Sequence, residues 1–460
     1  MKNNLIAVFS VCGLLMLSAC GGGDSSPPTP SSFTVGGMVS GLKGTGLVLQ
    51  NNNSDVLGVT ANGAFTFATP LSAGAIHKVS VKTQPSGPTQ TCTVSNGDGT
   101  ISNGNVNNIS VICAILKTPR FAYVLPNEGW GPRGEEIVAY EVDPNTGAFT
   151  RIGTFDGGIY SNRVTTDPSG RFLYVAASKA PDTASSPQGR ITVYSINQGN
   201  GHLVKVGDLI TQNTVFDLQF DPKGRFAYSL GVVGGSDNNV ASVSAFTVNS
   251  ANGSLTSVGL ISAGTAPSEF TIDSNGKYLY VIGNNKEIIT FNINQTTGIL
   301  TNNGNLLLAP NGNGIVAESI GRFVFSDAGN KIVSYATNPT TGILTRLDTF
   351  DEKYTTLHPI ALDPSGRFLY AGRGDGRIKS FFVDPFTGRL ADSGAFSIGV
   401  VANSIGLTVD PSGKFAYAYT YNGNSGITAF NINPTTGALE NMRNAAVSTA
   451  DVKSMVIIGY

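Results

Sequence analysis

Hydrophobic residues in this chain form short uninterrupted runs, not the one-in-two alternation of a half-exposed strand. Phe172 to Val175 is one such run, and an Asp-Pro-Ser-Gly sequence (167–170) stands just before it. Strands that are apolar at every position are covered on both faces. In the preceding turn, Asp accepts backbone hydrogen bonds, Pro sets φ for the bend and Gly supplies a positive φ. The pattern predicts buried β-strands joined by tight turns, with no helix.

The run and its turn recur seven times. A second element, a strand that enters an Asx-Pro-x-Thr-Gly turn such as 143–147, also recurs seven times. A spacing of 45 to 54 residues between copies is the length of a four-stranded propeller blade. The equivalent aromatic positions are Phe121, Phe172, Phe226, Tyr278, Phe323, Phe368 and Phe415.

The first copy lacks the innermost strand that precedes the turn in the other copies. The segment Ser454 to Ile458 has the composition to supply it. We therefore predict an all-β fold in which residues 118–460 form a seven-bladed β-propeller, with the C-terminal strand completing the first blade. Such closure removes an exposed strand edge.

Residues 33–115 contain six or seven short β-type runs between Gly and Asn turns, which predicts a small β-sandwich. Cys92 and Cys113 lie in two of the predicted strands, and a small exported domain benefits from a crosslink. The alternative, a redox or metal pair, fits poorly because the two cysteines are far apart in sequence and no His cluster lies nearby. We expect a structural disulfide.

The N-terminus reads as an export signal. Lys2 precedes an apolar run from Leu5 to Leu17, which predicts a signal peptide over 1–19. The sequence Leu-Ser-Ala-Cys at 17–20 resembles the lipobox of bacterial lipoproteins, which implies a diacylglycerol on Cys20; an ordinary cleaved signal with a chance cysteine is the alternative. Gly21 in place of Asp implies the outer membrane. Residues 20–32, rich in Gly, Ser and Pro, predict a flexible tether from that membrane.

Charge and composition exclude several functions. The chain has 29 Lys and Arg against 30 Asp and Glu, so nothing in it favours binding to nucleic acid. Three His and four Cys leave little material for a metal centre, and we expect neither a metal nor a cofactor.

The repeated Gly-Arg-Phe-Leu-Tyr-Val strand, followed by Tyr-x-Val-Asp-Pro-x-Thr-Gly, resembles the lactonase family of seven-bladed propellers, which includes 6-phosphogluconolactonase-like proteins and grades into YVTN-type repeats. The resemblance covers 118–460 and implies the fold. Because the shared motifs are turns and strands, it does not by itself fix the activity.

The predicted binding site lies where the innermost strands begin. Positions four or five residues before each Asp-Pro turn share one phase of the repeat. Candidate catalytic residues at this phase are Arg163, Asp217, Glu269 and His358, and candidate ligand-binding residues are Asn162, Phe216, Ser268, Asn313 and Lys453. Trp130, in a long insertion, is a further ligand-binding candidate; a role as a cover for the first blade is equally consistent with its position.

Two functions fit these residues. The first is a cell-envelope lipoprotein whose propeller binds a small ligand, a glycan or an envelope protein. The alternative is a lactone hydrolase in which Glu269 or His358 is the general base and Arg163 or Lys453 supports the oxyanion. The resemblance to the lactonase family implies a site of His, Glu and Arg at this mouth. We favour binding, because the phosphosugar lactone of the family is made in the cytosol and this chain is predicted to be exported. A Glu269, His358 and cation cluster around one cavity would favour hydrolysis instead.

Overall fold

The computed structural model describes residues 31–127, 135–178, 188–233, 240–265, 267–283, 287–307, 312–352, 356–397, 405–420, 426–442 and 451–460. Their secondary structure is β-strand and turn. They include no helix with the length and apolar character to cross a membrane. The predicted signal peptide, Cys20, most of the predicted tether and Trp130 lie outside the described residues.

The N-terminal strands form two four-stranded sheets and a two-stranded ribbon, as the sandwich prediction required. The orders are β5-β2-β10-β8 and β4-β3-β7-β9, with β1 paired to β6. The ten strands are β1 (Ser32–Phe33), β2 (Val35–Ser40), β3 (Leu47–Asn51), β4 (Asp55–Val59), β5 (Gly63–Thr66), β6 (Leu71–Ser72), β7 (Ile76–Thr83), β8 (Thr91–Ser95), β9 (Asp98–Thr100) and β10 (Val106–Ala114).

A single apolar core lies between these sheets and includes Val39, Leu49 and Val111. Cys92 and Cys113 face each other on the adjacent antiparallel strands β8 and β10 and form a disulfide. The crosslink therefore ties together two strands of the same sheet.

The remaining strands form seven four-stranded sheets. Blade 1 comprises β11 (Pro119–Pro126), β12 (Glu135–Val142), β13 (Phe149–Gly158) and β38 (Val452–Gly459); blade 2, β14 (Ser161–Thr166), β15 (Phe172–Ala177), β16 (Arg190–Ile196) and β17 (Leu203–Ile210); blade 3, β18 (Asp217–Phe220), β19 (Phe226–Val233), β20 (Val240–Val248) and β21 (Leu255–Thr265); blade 4, β22 (Pro267–Ile272), β23 (Tyr278–Gly283), β24 (Glu287–Ile293) and β25 (Leu300–Leu307).

The last three sheets follow the same plan. Blade 5 comprises β26 (Ile315–Ala317), β27 (Phe323–Asp327), β28 (Lys331–Thr337) and β29 (Leu344–Asp351); blade 6, β30 (Leu357–Leu362), β31 (Phe368–Arg373), β32 (Arg377–Val383) and β33 (Leu390–Ser397); blade 7, β34 (Ile405–Val409), β35 (Phe415–Thr420), β36 (Ile427–Ile432) and β37 (Leu439–Asn441).

The ring is closed by the C-terminal strand, as predicted. β38 pairs antiparallel with β11, so that Met455 faces Val124 and Ile458 faces Phe121. β38 then contacts the innermost strands of blade 2 and blade 7, and each remaining innermost strand contacts the next around the axis. The seven-bladed annulus is complete.

In the repeated Asp-Pro-x-Gly turns, Asp accepts backbone hydrogen bonds and Gly has a positive φ, as the sequence predicts. Asp410 accepts hydrogen bonds from the backbone N–H groups of Lys414 at 2.9 Å and Phe415 at 2.7 Å, and Gly413 in the same turn has φ +71°. An Asp in this position therefore fixes the entry into the second strand of the blade.

Neighbouring blades are joined by a repeated hydrogen bond. The Tyr228 hydroxyl of blade 3 donates to the Gly298 carbonyl of blade 4 at 2.9 Å. Tyr123, Tyr174, Tyr280 and Tyr417 make the equivalent bond to the next blade. Blade 5 has Phe325 at this position, and the buried Tyr370 hydroxyl of blade 6 has no hydrogen-bond partner among the described residues.

Candidate functional site

The innermost strands surround a cavity of about 720 Å³ on the propeller axis, at the end where these strands begin. Nearly all the side chains that the repeat phase singled out line it. They are Arg163, Phe216, Asp217, Ser268, Glu269, Asn313, His358 and Lys453. Asn162 is not among the lining residues; its side-chain amide donates to the Val215 carbonyl of the next blade at 3.3 Å.

Arg163 and Asp217 form an ion pair between blades 2 and 3. The Nε atom of Arg163 lies 2.9 Å from Oδ1 of Asp217, and 40% of the arginine side chain is exposed in the cavity against 9% of the aspartate. Gln219 donates to the other oxygen of Asp217 at 3.0 Å. The carboxylate is thus held in place, and it presents the guanidinium to the cavity.

Glu269 of blade 4 lies beside this pair. Burial raises the pKa of Glu269 to about 7, and the charge of the Asp217 carboxylate raises it further. The charges of Arg163 and His358 and the hydrogen bond from the Ile315 N–H lower this pKa and offset part of the rise. The Ile315 N–H donates to Oε2 at 3.1 Å. A carboxyl group that exchanges its proton near neutral pH suits acid-base catalysis.

His358 of blade 6 carries the second titratable group. Its Nδ1 lies 2.7 Å from Oδ2 of Asp327, which ends the second strand of blade 5. Partial burial lowers the pKa of His358, but the hydrogen bond and charge of Asp327 and the charge of Glu269 outweigh it and leave this pKa above the usual value.

These groups converge on Gly314. A Cβ atom at Gly314 would stand 2.9 Å from Oδ2 of Asp327, 3.2 Å from Oε2 of Glu269 and 3.3 Å from Nδ1 of His358. The absence of a side chain at Gly314 is therefore what allows the carboxyl group, the imidazole and the supporting carboxylate to meet.

Lys453 forms a separate ion pair with Glu135. Its Nζ atom binds the carboxylate of Glu135 at the start of β12, and also lies 3.4 Å from the Ser161 carbonyl oxygen. Both side chains of this ion pair are over 90% buried. Lys453 lines the cavity, but only 8% of its side chain is exposed against 40% of that of Arg163, which favours Arg163 as the cation accessible to a ligand.

Sequence reasoning missed Asp327, Glu135 and Tyr419. Tyr419 belongs to the second strand of blade 7, yet its ring lines the cavity because Gly406 stands in front of it. Asp327 and Tyr419 occupy the same repeat position, the fifth of the second strand. The other copies have the small or apolar residues Leu125, Ala176, Leu230, Ile282 and Gly372 there, so a comparison of the copies at this position carried the signal.

A model of the seven-bladed β-propeller lactonase family matches residues 128–230, 217–317 and 321–456. The chain belongs to the lactonase family. Comparison with curated proteins finds no significant match. Several solved lactonase-like propellers have the same fold.

A putative 6-phosphogluconolactonase from Bacteroides fragilis is 18% identical, with TM-score 0.62, over 74% of this chain and 98% of its own. The periplasmic gluconolactonase of Pseudomonas aeruginosa is also 18% identical, with TM-score 0.62, over 74% and 99% of the two chains. A putative 6-phosphogluconolactonase from Bacteroides uniformis is 16% identical, with TM-score 0.61, over 74% and 100%. At these identities the likeness extends to the fold, and the activity has to be argued from the site.

Proposed function

We propose that this lactonase-family protein hydrolyses a lactone in the axial cavity. The observation that carries the proposal is the convergence of Glu269 and His358 on Gly314, within a cavity that also contains the Arg163 guanidinium. A passive binding site has no need for two titratable groups with pKa values shifted toward neutrality. The cluster therefore supports hydrolysis over the binding role that the sequence alone favoured.

The groups can be assigned to the steps of ester hydrolysis. His358 takes a proton from water as the water oxygen attacks the lactone carbonyl carbon, and Arg163 stabilises the resulting oxyanion. The ring C–O bond then breaks, and Glu269 protonates the departing alkoxide. The product is a hydroxy acid, and His358 returns the proton to Glu269 through the product or a water molecule. Both side chains thereby return to their starting protonation states.

The charge balance of the cavity favours an uncharged lactone. Among the described lining residues, both cations are already paired, Arg163 with Asp217 and Lys453 with Glu135. A phosphorylated substrate would bring two negative charges to a wall that also contains Glu269. The gluconolactonase name of the Pseudomonas aeruginosa structure agrees with a neutral sugar lactone.

The test is hydrolysis of glucono-δ-lactone and of simple aliphatic δ-lactones by the purified chain, followed by acid release at constant pH. Glu269→Gln and His358→Gln should each lower kcat by about 10² to 10⁴. His202→Gln and Glu440→Gln, at exposed positions, are the matched controls and should leave kcat unchanged. Hydrolysis that survives in the Glu269→Gln, His358→Gln double variant would remove both residues from the mechanism.

We also propose that the protein acts in the cell envelope, anchored by lipid on Cys20. The export-type N-terminus supports this location, and the disulfide is typical of oxidising compartments. Labelled palmitate should be incorporated into the wild-type chain and not into Cys20→Ala, which should be recovered in the soluble fraction. Equal labelling of both would exclude Cys20 as the lipid site.

A further inference from the structure

Asp327 is a carboxylate at a position where the repeat otherwise has small, apolar or aromatic residues. It ends the second strand of blade 5, and only 1% of its side chain is exposed. A charge in such a place is unfavourable unless hydrogen bonds compensate it. The partners of Asp327 therefore indicate what it does.

Both oxygens of Asp327 are engaged. Oδ1 accepts the backbone N–H of Asn313 at 2.6 Å, and Oδ2 lies 2.7 Å from Nδ1 of His358. The first bond fixes the plane of the carboxylate, because Asn313 leads into the innermost strand of the same blade. The second bond reaches across to the innermost strand of blade 6. One rigid group thus connects the two blades at the cavity wall.

The contact depends on Gly314. Any larger residue there would place a Cβ atom 2.9 Å from Oδ2 of Asp327 and 3.3 Å from Nδ1 of His358, the two atoms that form the contact. Gly314 lies in the repeat phase that gives Arg163, Asp217 and Glu269 in blades 2 to 4. Blade 5 instead has a glycine at this phase, and it contacts His358 through Asp327 of its second strand.

We propose that Asp327 is a positioning residue for His358: it accepts the Nδ1 proton and thereby fixes the tautomer in which Nε2 is the unprotonated nitrogen. A neutral imidazole has one donor and one acceptor nitrogen, and the partner of one nitrogen decides the state of the other. The proposal rests on the proposed function insofar as Nε2 is the base that activates water. It also predicts a property of His358 that is measurable without substrate.

The charged groups around His358 determine how its pKa should respond when Asp327 is replaced. Asp327 faces it from blade 5 and Glu269 from blade 4, while Arg163, Asp217, Lys453 and the Tyr419 phenol line the same cavity. Asp327 and Glu269 both raise the pKa of His358. Loss of the Asp327 hydrogen bond and charge leaves burial, which lowers the pKa of His358, opposed only by the weaker charge of Glu269, so this pKa should fall below the value of an isolated imidazole.

The experiment is ¹⁵N NMR of the full chain labelled at histidine. The sequence has three His, so His358→Gln identifies its signals by difference from those of His77 and His202. In the wild type, the Nδ1 shift of His358 should be that of a protonated nitrogen and the Nε2 shift that of an unprotonated one. In Asp327→Asn the pKa of His358 should fall, and the protonated nitrogen should change to Nε2.

Kinetics give the second readout. Asp327→Asn should lower kcat by roughly 10²-fold with little change in KM, because the base is misoriented and not deleted. Gly314→Ala is the second variant, for the case that Asp327→Asn folds poorly. It retains the Asp327 carboxylate but displaces it, and it should shift the same NMR signals of His358. Asp351→Asn, at an exposed position of the same blade, is the matched control.

The experiments test the positioning role of Asp327 and the proposed lactone hydrolysis separately. Unchanged tautomer and pKa of His358 in both Asp327→Asn and Gly314→Ala would overturn the positioning role. The expected NMR change together with no lactone hydrolysis by the wild type would leave the positioning role intact and refute the proposed function.

Discussion

Arg163 of blade 2 and Asp217 of blade 3 occupy the same position of successive repeats, and Nε of the first lies 2.9 Å from Oδ1 of the second. The ion pair also adjoins Glu269, in the same position of blade 4. Three consecutive blades thus place a cation, an anion and a titratable carboxyl group along one side of the cavity. The charge of Arg163 lowers the pKa of Glu269, and the charge of Asp217 raises it.

Lactone hydrolysis should depend on pH as a narrow bell. Activity should rise with pH as His358 loses its proton, at a pKa above the usual imidazole value, and should fall again as Glu269 loses its proton at about 7. The measurement is kcat/KM against pH. Glu269→Gln, which cannot donate a proton, should lose the alkaline limb of its residual activity; retention of that limb would show that it belongs to another group.

Asp217→Asn should shift the alkaline limb to lower pH. The Asp217 carboxylate raises the pKa of Glu269, and removal of its charge also frees Arg163 to stabilise the ionised glutamate. Glu269 would then lose its proton earlier. Asp348→Asn, at an exposed position of an outer strand, is the control, and an unchanged or raised limb in Asp217→Asn would contradict the arrangement.

Tyr228→Phe should destabilise the propeller by about 1 kcal/mol, because it removes a buried hydrogen bond to the Gly298 carbonyl of the next blade. Tyr370→Phe deletes an equally buried hydroxyl that has no partner in the described part of the chain, and should be neutral or slightly stabilising. Urea unfolding midpoints of the two variants compare the same chemical change at two blade boundaries. Equal losses would show that the hydrogen bond contributes nothing.

Gly406→Ala should weaken substrate binding. A Cβ atom there would stand 1.9 Å from Cε2 of Tyr419, so the ring must move away from its place in the cavity wall. The three atoms nearest to this Cβ all belong to Tyr419, so we expect KM to rise by roughly tenfold with kcat nearly constant. Gly207→Ala, with open space around it, is the matched control. A fall in kcat at constant KM would assign Tyr419 a role in the chemical step.

Loss of the disulfide should affect the sandwich and spare the cavity. Cys92 and Cys113 are 21 residues apart, and opening that loop should lower sandwich stability by roughly 3 kcal/mol. The double variant Cys92→Ala, Cys113→Ala should therefore unfold its N-terminal strands at lower urea, with wild-type kcat at low urea. A large loss of kcat without denaturant would connect the sandwich to the site.

The blades and the closing strand could be predicted because their strands are apolar at every position and their turns repeat the same residues. The same repeat phase predicted Arg163, Asp217 and Glu269 at the cavity. It could not predict Asp327 and Tyr419, because both belong to second strands. Tyr419 lines the cavity next to Gly406, and Asp327 contacts His358 next to Gly314. Nor could the repeat phase predict the contact of Lys453 with Glu135, because Glu135 follows an insertion of irregular length and no other copy has an acidic residue at the equivalent position.

Closure of blade 1 by β38 has a consequence for the order of folding. The backbone groups of Thr118 and Tyr460 bond to each other at 3.1 Å in both directions, so the ring joins residues that are made hundreds of positions apart. During synthesis, β11 keeps an unpaired edge until residues 452–459 emerge. Lys453 arrives with that same segment, and the cavity wall is therefore the last part of the propeller to be assembled.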